Sequence, residues 1–546
     1  MAADVLQAFK GILPGIDDTL TDYAKRAHNV KTCHGRLDPW KTPKKITCLC
    51  ATSAHLREGK AYYSKDCDRY FTDVEPCGNT VISGPGMCPA WIDDCCRETV
   101  LGFPCPDQAT VKGYDYPDEE GAFTELRSYV ITYGDGCDEG APSMPSISVK
   151  ANKDDRITIG LPAPDPKYNG VTEICIYRMA STWDVSEGMW EPQGGSLTQG
   201  LHSVTTEACY FLVDKVPIGT HTFVDDGSQE STILCDTLVT ECYTPPPEDL
   251  CITGMTHLGS LVGFKDDCVY FSERNTHYAW PDKYKINIGC EIVNVCVDGN
   301  TVFVGTKGKP AVILDYPEAI DAMCREPQFS SKPAPLESAK SMVCLNGTAI
   351  YATAWGIVAL SPDTTVTTLS GEWCRDNWES IHPCTIRAAC YGSDYFFTSI
   401  NFSGIYGNLL GAEENVISTI DVCPDCWITD KDGKLYYLDC GDLFQWDAGD
   451  KLLRMTYESG TQVSNRCNTV AKVVHAGKIR DCSPHDTLFE YIGDDCILYQ
   501  RHVNHSNCFN ICRSRVEEYR VRVSGYRSIK RVELGPNRSC FQTVAA

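Results

Sequence analysis

Apolar and polar positions alternate with a period of two through most of the chain, and between Glu125 and Asp447 no three-to-four-residue periodicity is sustained. Successive side chains of a strand point to opposite faces, so this alternation marks half-buried strands and not helices. From Glu125 to about Val224 six such runs appear: LRSYVITYG, SISVKA, RITIGLP, ICIYRMA, CYFLVDKV and THTFVDD, separated by Pro, Gly, Asp and Asn clusters. Their number and spacing predict a fibronectin/immunoglobulin-like β-sandwich module over 125–247, ended by the extended triple proline Pro245 to Pro247.

Beyond the prolines the runs recur at longer intervals. CVYFSE, NTVFVGT, TAIYATAWGIVAL, SDYFFTSI and GKLYYLDCGDLFQW have aromatic centres at Tyr270, Phe303, Tyr351, Phe396 and Tyr436, with gaps of 33, 48, 45 and 40 residues. Repetition on that scale is the size of a four-stranded blade, and it predicts a β-propeller core over 248–455. The uneven first gap is the irregular feature of the series.

The flanks read differently. Residues 1–124 form a Cys-rich N-terminal segment and linker, with a short helix expected between Asp17 and His28, capped by Asp17 or Asp18. The stretch from Cys105 to Phe123 carries Pro, Gly and acid without periodicity and reads as a linker. Residues 456–546 form a C-terminal β segment, expected to complete the propeller or to contact a neighbour. It ends in EEYRVRVSGYRSIKRVEL, where Tyr519, Val521 and Val523 share one face and Arg520 and Arg522 the other. The fold class is therefore all-β: a propeller core, a sandwich module and additional N- and C-terminal β segments.

Composition narrows the functions. Apolar residues make up 42% of the chain, enough to fold most of its 546 residues as several domains. The net charge of −24 opposes a nucleic-acid grip, which works by placing cations on phosphates, but it suits a passage through which DNA slides without sticking. The first fifteen residues do not read as a signal peptide, and no run of ~18 uncharged apolar residues is found. Synthesis in a reducing compartment sits uneasily with 32 cysteines, so buried free thiols and later-closing disulfides are both open.

Candidate chemistry is sparse. Cys423-Pro-Asp-Cys426 has the spacing of a redox dithiol or half a zinc site, but no second such pair exists, and Cys508, Cys512, His502 and His505 form the other small cluster. The acid pairs Asp225-Asp226, Asp266-Asp267 and Asp494-Asp495 read as solvated turn residues. HExxH, GxSxG, P-loop and dinucleotide motifs are absent, and the sequons at Asn346, Asn401, Asn504 and Asn537 read as chance. No catalytic residue, cofactor or metal is expected. Trp183, Trp190 and Trp355 would suit sugar stacking only if exposed, the basis of an alternative reading as a receptor- or carbohydrate-binding propeller.

Several blocks resemble the tail nozzle (tail tubular) proteins of short-tailed phages. They are SYVITYGDGCDEGAPSMPS at Ser128, ICIYRM at Ile174, TFVDD at Thr222, GMTHLGSLVGFKDDCVYFSERNTHYAWPDKY at Gly254 and VFVGTKGKPAVI at Val302, with FKGILPGIDDTL and AHNVKTCHGRLDP near the amino end. The resemblance weakens after Asp447, and the cysteine load departs from the family. It implies a virion protein made in a bacterial cytoplasm, a homohexameric ring below the portal and adaptor proteins, and a platform for tail fibres or spikes. Genomic DNA would pass through without specific binding. An acidic ring subunit needs cations at its contacts, and Arg520, Arg522, Arg527, Lys530 and Arg531 are the candidate subunit interface. Reversing Arg520 and Arg522 is then expected to leave the monomer folded and impair assembly.

Overall fold

The computed structural model describes residues 4–7, 9–12, 23–32, 35–76, 78–117, 122–184, 189–192, 210–227, 236–317, 325–370, 375–406, 417–463, 467–476, 487–511 and 516–541. Strands dominate; the one α-helix among the described residues is Arg375–Ser380. No helix there is long and apolar enough to cross a membrane. The chain divides into two compact units, one of residues 1–68, 290–313 and 327–546, the other of residues 69–289 and 314–326.

The second unit holds the sandwich. Glu125–Gly134 pairs along its whole length with Glu173–Asp184, and Val149–Ala151, Met189–Pro192 and Phe211–Pro217 complete a five-stranded sheet. Thr110–Lys112, Ile157–Gly160 and Thr222–Asp225 form a three-stranded sheet. Tyr129, Ile131 and Tyr133 from the first sheet pack with Ile157, Ile159 and Phe223 from the other. All six alternating runs are strands. The stretch read as a linker is corrected at Thr110–Lys112, which is a sandwich strand: three residues are too few to show a period, and pairing with Ile157–Gly160 makes them a strand.

The same unit contains two four-stranded antiparallel sheets, one from Tyr70–Val74 to Glu98–Val100 and one from Cys251–Met255 to Ile286–Asn287. They share a core of Val74, Val81, Leu101, Leu250, Ile252, Leu261 and Trp280. Thr72 and Ser83 hydroxyls both donate to the Ile252 carbonyl.

In the first unit the blade pattern is explicit. Four-stranded antiparallel sheets open with Ile292–Asp298, Val343–Leu345 and Cys426–Thr429, Arg387–Tyr391 opens a run of four antiparallel strands at the edge of a larger sheet, and each of these opening strands packs against the next one's. That serial arrangement of small antiparallel sheets is a β-propeller core. The last sheet takes its outer strand, Lys44–Cys48, from the amino-terminal region, which pairs with Asp442–Gln445. Phe303, Tyr351, Phe396 and Tyr436 all lie on second strands, whereas Tyr270 lies on a third strand, Cys268–Phe271. That difference explains the short first gap: counted from the second strand, Leu261–Lys265, the interval falls in line with the others.

Ala24–His28 is a strand, correcting the expected helix over its described part. It pairs with Met455–Ser459 on one side and, at His28, with Ile417–Thr419 on the other, so backbone hydrogen bonds from both flanks override local propensity. Asp17 and Asp18 lie outside the described residues. The ten-stranded sheet that results runs from Arg387–Tyr391 through Ala24–His28 to Glu518–Gly525, Thr487–Gly493 and Cys496–Val503. A second sheet, Asp4–Leu6, Ile529–Gly535, Val470–His475 and Phe509–Asn510, shares its core through Tyr457, Phe489, Val521, Val532 and Leu534. The C-terminal segment thus builds a two-sheet domain with the amino-terminal strands, while the blade is closed by Lys44–Cys48.

Candidate interaction surface

Glu518–Gly525 is an interior strand, between Met455–Ser459 and Thr487–Gly493. Tyr519, Val521 and Val523 are buried and Arg520 and Arg522 half-buried, the alternation expected from the sequence. The polar face is not free, however. Register places Arg522 opposite Glu458 on one neighbour and opposite Glu490 on the other. Arg522 Nη2 lies 2.8 Å from Glu458 Oε2 and Nη1 lies 3.4 Å from Glu490 Oε2, both carboxylates being nearly buried. Arg520 Nε sits 3.2 Å from Glu458 Oε1, and its Nη2 bonds Asp495. Burial opposes the Arg522 charge, but the Glu458 hydrogen bond and the two carboxylates outweigh it and hold the guanidinium pKa above its usual value.

The remaining candidates divide. Arg531 Nε donates to Glu533, which Lys472 also meets at 3.6 Å, and Arg527 Nη1 donates to the Asn504 carbonyl at 2.9 Å. Lys530 is exposed and makes no ion pair among the described residues. The expectation that Arg520 and Arg522 reversals leave the fold intact is therefore corrected: both guanidiniums neutralise carboxylates buried within their own sheet. The signal available in the sequence was the acid centred in an apolar alternating run, Glu458 in MTYES and Glu490 in TLFEYIG. Beside this face Lys25, Thr461, Asp494, Asp495, Glu518 and Arg520 line an open cleft of 220 Å³.

His475, near this strand system, gives a pH-dependent expectation. Burial first, then the nearby Arg527 and His505 charges, push its pKa down from 6.5 to about 4, and its Nε2 lies 3.0 Å from the Thr487 hydroxyl. The folded chain thus binds this proton less readily than the unfolded chain. Its stabilising effect is full above about pH 6.5 and is lost as the pH falls toward 4. Thermal melts across that range should fall more steeply for wild type than for His475→Gln; parallel curves would contradict the assignment.

Two further charge clusters were missed. Asp225, read as a solvated turn residue, is instead buried: it accepts from Tyr129 Oη at 2.6 Å and from Arg178 Nη1 at 2.9 Å. The strand Thr222–Asp225 ends there, which carries the carboxylate into the sandwich interior toward the two arginines of the facing sheet. Asp315 accepts from Arg325 Nε at 2.9 Å, Arg274 Nη2 at 3.2 Å and Thr256 Oγ1 at 2.8 Å, and Arg325 stacks over Phe271 and Tyr284. Asp494 and Asp495, by contrast, do occupy a hairpin turn, both with left-handed φ, of 48° and 59°.

The thiols are dispersed. Cys423 Sγ lies 3.6 Å from the Ser399 carbonyl and Cys426 Sγ 3.5 Å from that of Trp427, so the two are turned to different partners. Among the described residues no group of three or more His, Cys, Asp or Glu is placed to hold a metal; Cys512 lies outside them. Cys175, Cys251 and Cys268 are buried, and the other described cysteines are half-buried or exposed. Trp355 is 47% exposed in the turn between Thr348–Thr353 and Gly356–Leu360. Trp183 and Trp190 face each other in register, their side chains outside the described set.

No family model matches the chain, and no curated protein matches it significantly. Solved structures similar to parts of it include a streptogramin B lyase, 11% identical over 50% of this chain and 89% of that one, with a TM-score of 0.24. The AfRom2 CNH domain is 9% identical over 58% and 90%, TM-score 0.26, and YCF48 bound to a D1 peptide is 10% identical over 52% and 90%, TM-score 0.23. At such scores these likenesses carry no argument about function; the architecture rests on the strand pairing.

Proposed function

We propose that this chain is a structural virion protein, a ring-forming subunit of a short-tailed phage tail nozzle that forms a conduit for DNA. The observation that carries the reading is the block GMTHLGSLVGFKDDCVYFSERNTHYAWPDKY, the most specific part of the resemblance. It spans Leu261–Lys265 and Cys268–Phe271 and the end of Cys251–Met255, strands of one four-stranded sheet in the unit that also holds the sandwich. The net charge of −24 supports weak contact with passing phosphates. The role is structural and not catalytic, and the partners are further copies of the chain, portal and adaptor proteins, and fibres or spikes.

Assembly of like-charged subunits makes Lys530 the cation of the original five best placed to meet a neighbour. Light scattering of the purified chain at low salt should report a mass several times the monomer's, lowered by Lys530→Glu and by added salt, because exposed pairs are screened. A monomer under all conditions sinks the ring; a ring indifferent to Lys530→Glu removes that residue from the contact. The exposure of Trp355 favours a second reading, a propeller that binds a receptor glycan. Specific binding on a glycan array that is lost in Trp355→Ala would promote it, and a flat response would reject it.

A further inference from the structure

The outer strand Lys44–Cys48 ends opposite Asp442, and the chain then wraps the turn 439–442: the Leu49 and Cys50 amides both donate to the Gly441 carbonyl, at 2.9 and 3.0 Å. Alternation fixes where the side chains go. Leu49 packs onto the core of Ala54, Leu56, Ile428, Leu438 and Leu443, so Cys48 and Cys50, one position to either side of it, turn outward together. Both thiols are exposed, and their sulfurs lie 3.5 Å apart. Two residues of extended chain separate Cα atoms by at most about 7 Å, and the left-handed φ of 51° at Cys50 turns the chain back within that span. A disulfide asks for about 4.4–6.8 Å. Cys423 and Cys426, whose spacing is that of a redox dithiol, turn their sulfurs to different carbonyls, and burial pushes the Cys426 thiol up. The contacting, solvent-open dithiol stands instead at Cys48 and Cys50.

We propose that Cys48 and Cys50 are a redox modification site that reacts with a small-molecule disulfide of the glutathione class and closes into an intramolecular disulfide at the end of the blade-closing strand. The Asp442 carboxylate, and after it the Cys50 sulfur, hydrogen-bond the protonated Cys48 thiol and hold it above its usual range, so Cys50 makes the first attack. Having given its proton to water, the Cys50 thiolate bonds one sulfur of the reagent as the reagent's own S–S bond breaks, and the first glutathione leaves as a thiolate. Cys48 then loses its proton to solvent and attacks the Cys50 sulfur, which expels the second glutathione thiolate. The two leaving thiolates take up the two protons. Two protein thiols and one oxidised glutathione thus give one protein disulfide and two reduced glutathiones, with two electrons passing from the protein sulfurs to the reagent. So short a loop takes little entropy from the unfolded chain. The readout is therefore covalent and not thermal. The inference rests on the sheet that Lys44–Cys48 closes and stands whether or not the chain forms a ring.

The test uses the full-length chain purified under reductant, freed of it and treated with oxidised glutathione at about pH 8, where exposed thiols are partly ionised. The product is alkylated in denaturant and digested with trypsin without reduction. The tryptic peptide 46–57, ITCLCATSAHLR, contains Cys48 and Cys50 and no other cysteine, so mass spectrometry reads the pair alone. The expected major form is this peptide lighter by two hydrogen atoms, carrying neither alkyl group nor glutathione, and returned to the dithiol by reductant. Cys48→Ser and Cys50→Ser, which lack the second thiol needed to expel it, should each keep one glutathione on the remaining cysteine. Recovery of the wild-type peptide with both cysteines alkylated, or with glutathione on both, would overturn the proposal. So would a linkage of either one to another cysteine, such as Cys440 in the adjoining turn, or unmodified thiols in both single variants.

Discussion

Asp225→Ala should cost the sandwich about 3–5 kcal/mol, because removing one partner of a buried ion network leaves the opposite charge uncompensated. Asp225 is 3% exposed and Arg178 and Arg127 are 4% and 2% exposed, so water does not reach in to replace the lost carboxylate. Asp225 bonds Arg178 and the Tyr129 hydroxyl and accepts from the Gly227 amide at 3.1 Å; Arg127 lies 4.0 Å away and is held also by Glu125 and by the carbonyls of Asn152, Lys153 and Asp155. Without Asp225, Arg178 loses its only acid partner among the described residues, and the two sheets lose the polar tie between Thr222–Asp225 and the five-stranded layer. Hydrogen exchange of the full chain, read on peptides spanning Glu125–Gly134 and Glu173–Asp184, should show protection lost in the variant. Wild-type protection would contradict the network's role.

Arg522→Glu should be of similar size, about 3–5 kcal/mol, because it converts an alternating acid-base-acid row across three paired strands into three adjacent acids. Glu458 and Glu490 are 4% and 6% exposed, so their repulsion is poorly screened by solvent. The expected outcome is poor soluble yield or rapid exchange over Glu518–Gly525, and an unaffected C-terminal domain would contradict it. Lys530→Glu should leave the same peptides protected, since Lys530 is exposed.

The contrast between these two lysine and arginine positions marks what the chain reveals without coordinates. Alternation showed that Arg520 and Arg522 share a face, because a period of two is local information. It was silent on what lies across the sheet from them. Glu458 and Glu490 are 64 and 32 residues away, and their partnership is set by strand order, which places Glu518–Gly525 between Met455–Ser459 and Thr487–Gly493. Strand runs such as LRSYVITYG and ICIYRMA were legible for the same local reason, whereas Thr110–Lys112 and Ala24–His28 were not. Both are short, and both are strands by virtue of distant partners: Ile157–Gly160 in one case, Met455–Ser459 and Ile417–Thr419 in the other. Asp225 was misread because an acid beside a turn looks solvated until the arginines that receive it are known.

The central claim, a propeller-based subunit that closes into a ring, meets its most direct test in a cryo-electron microscopy map of the assembled chain. The account predicts a closed ring with sixfold symmetry and an open axial passage, each subunit showing serial four-stranded blades with Lys44–Cys48 closing the sheet that opens at Cys426–Thr429. A dispersed monomer, or an assembly without an axial passage, would contradict it.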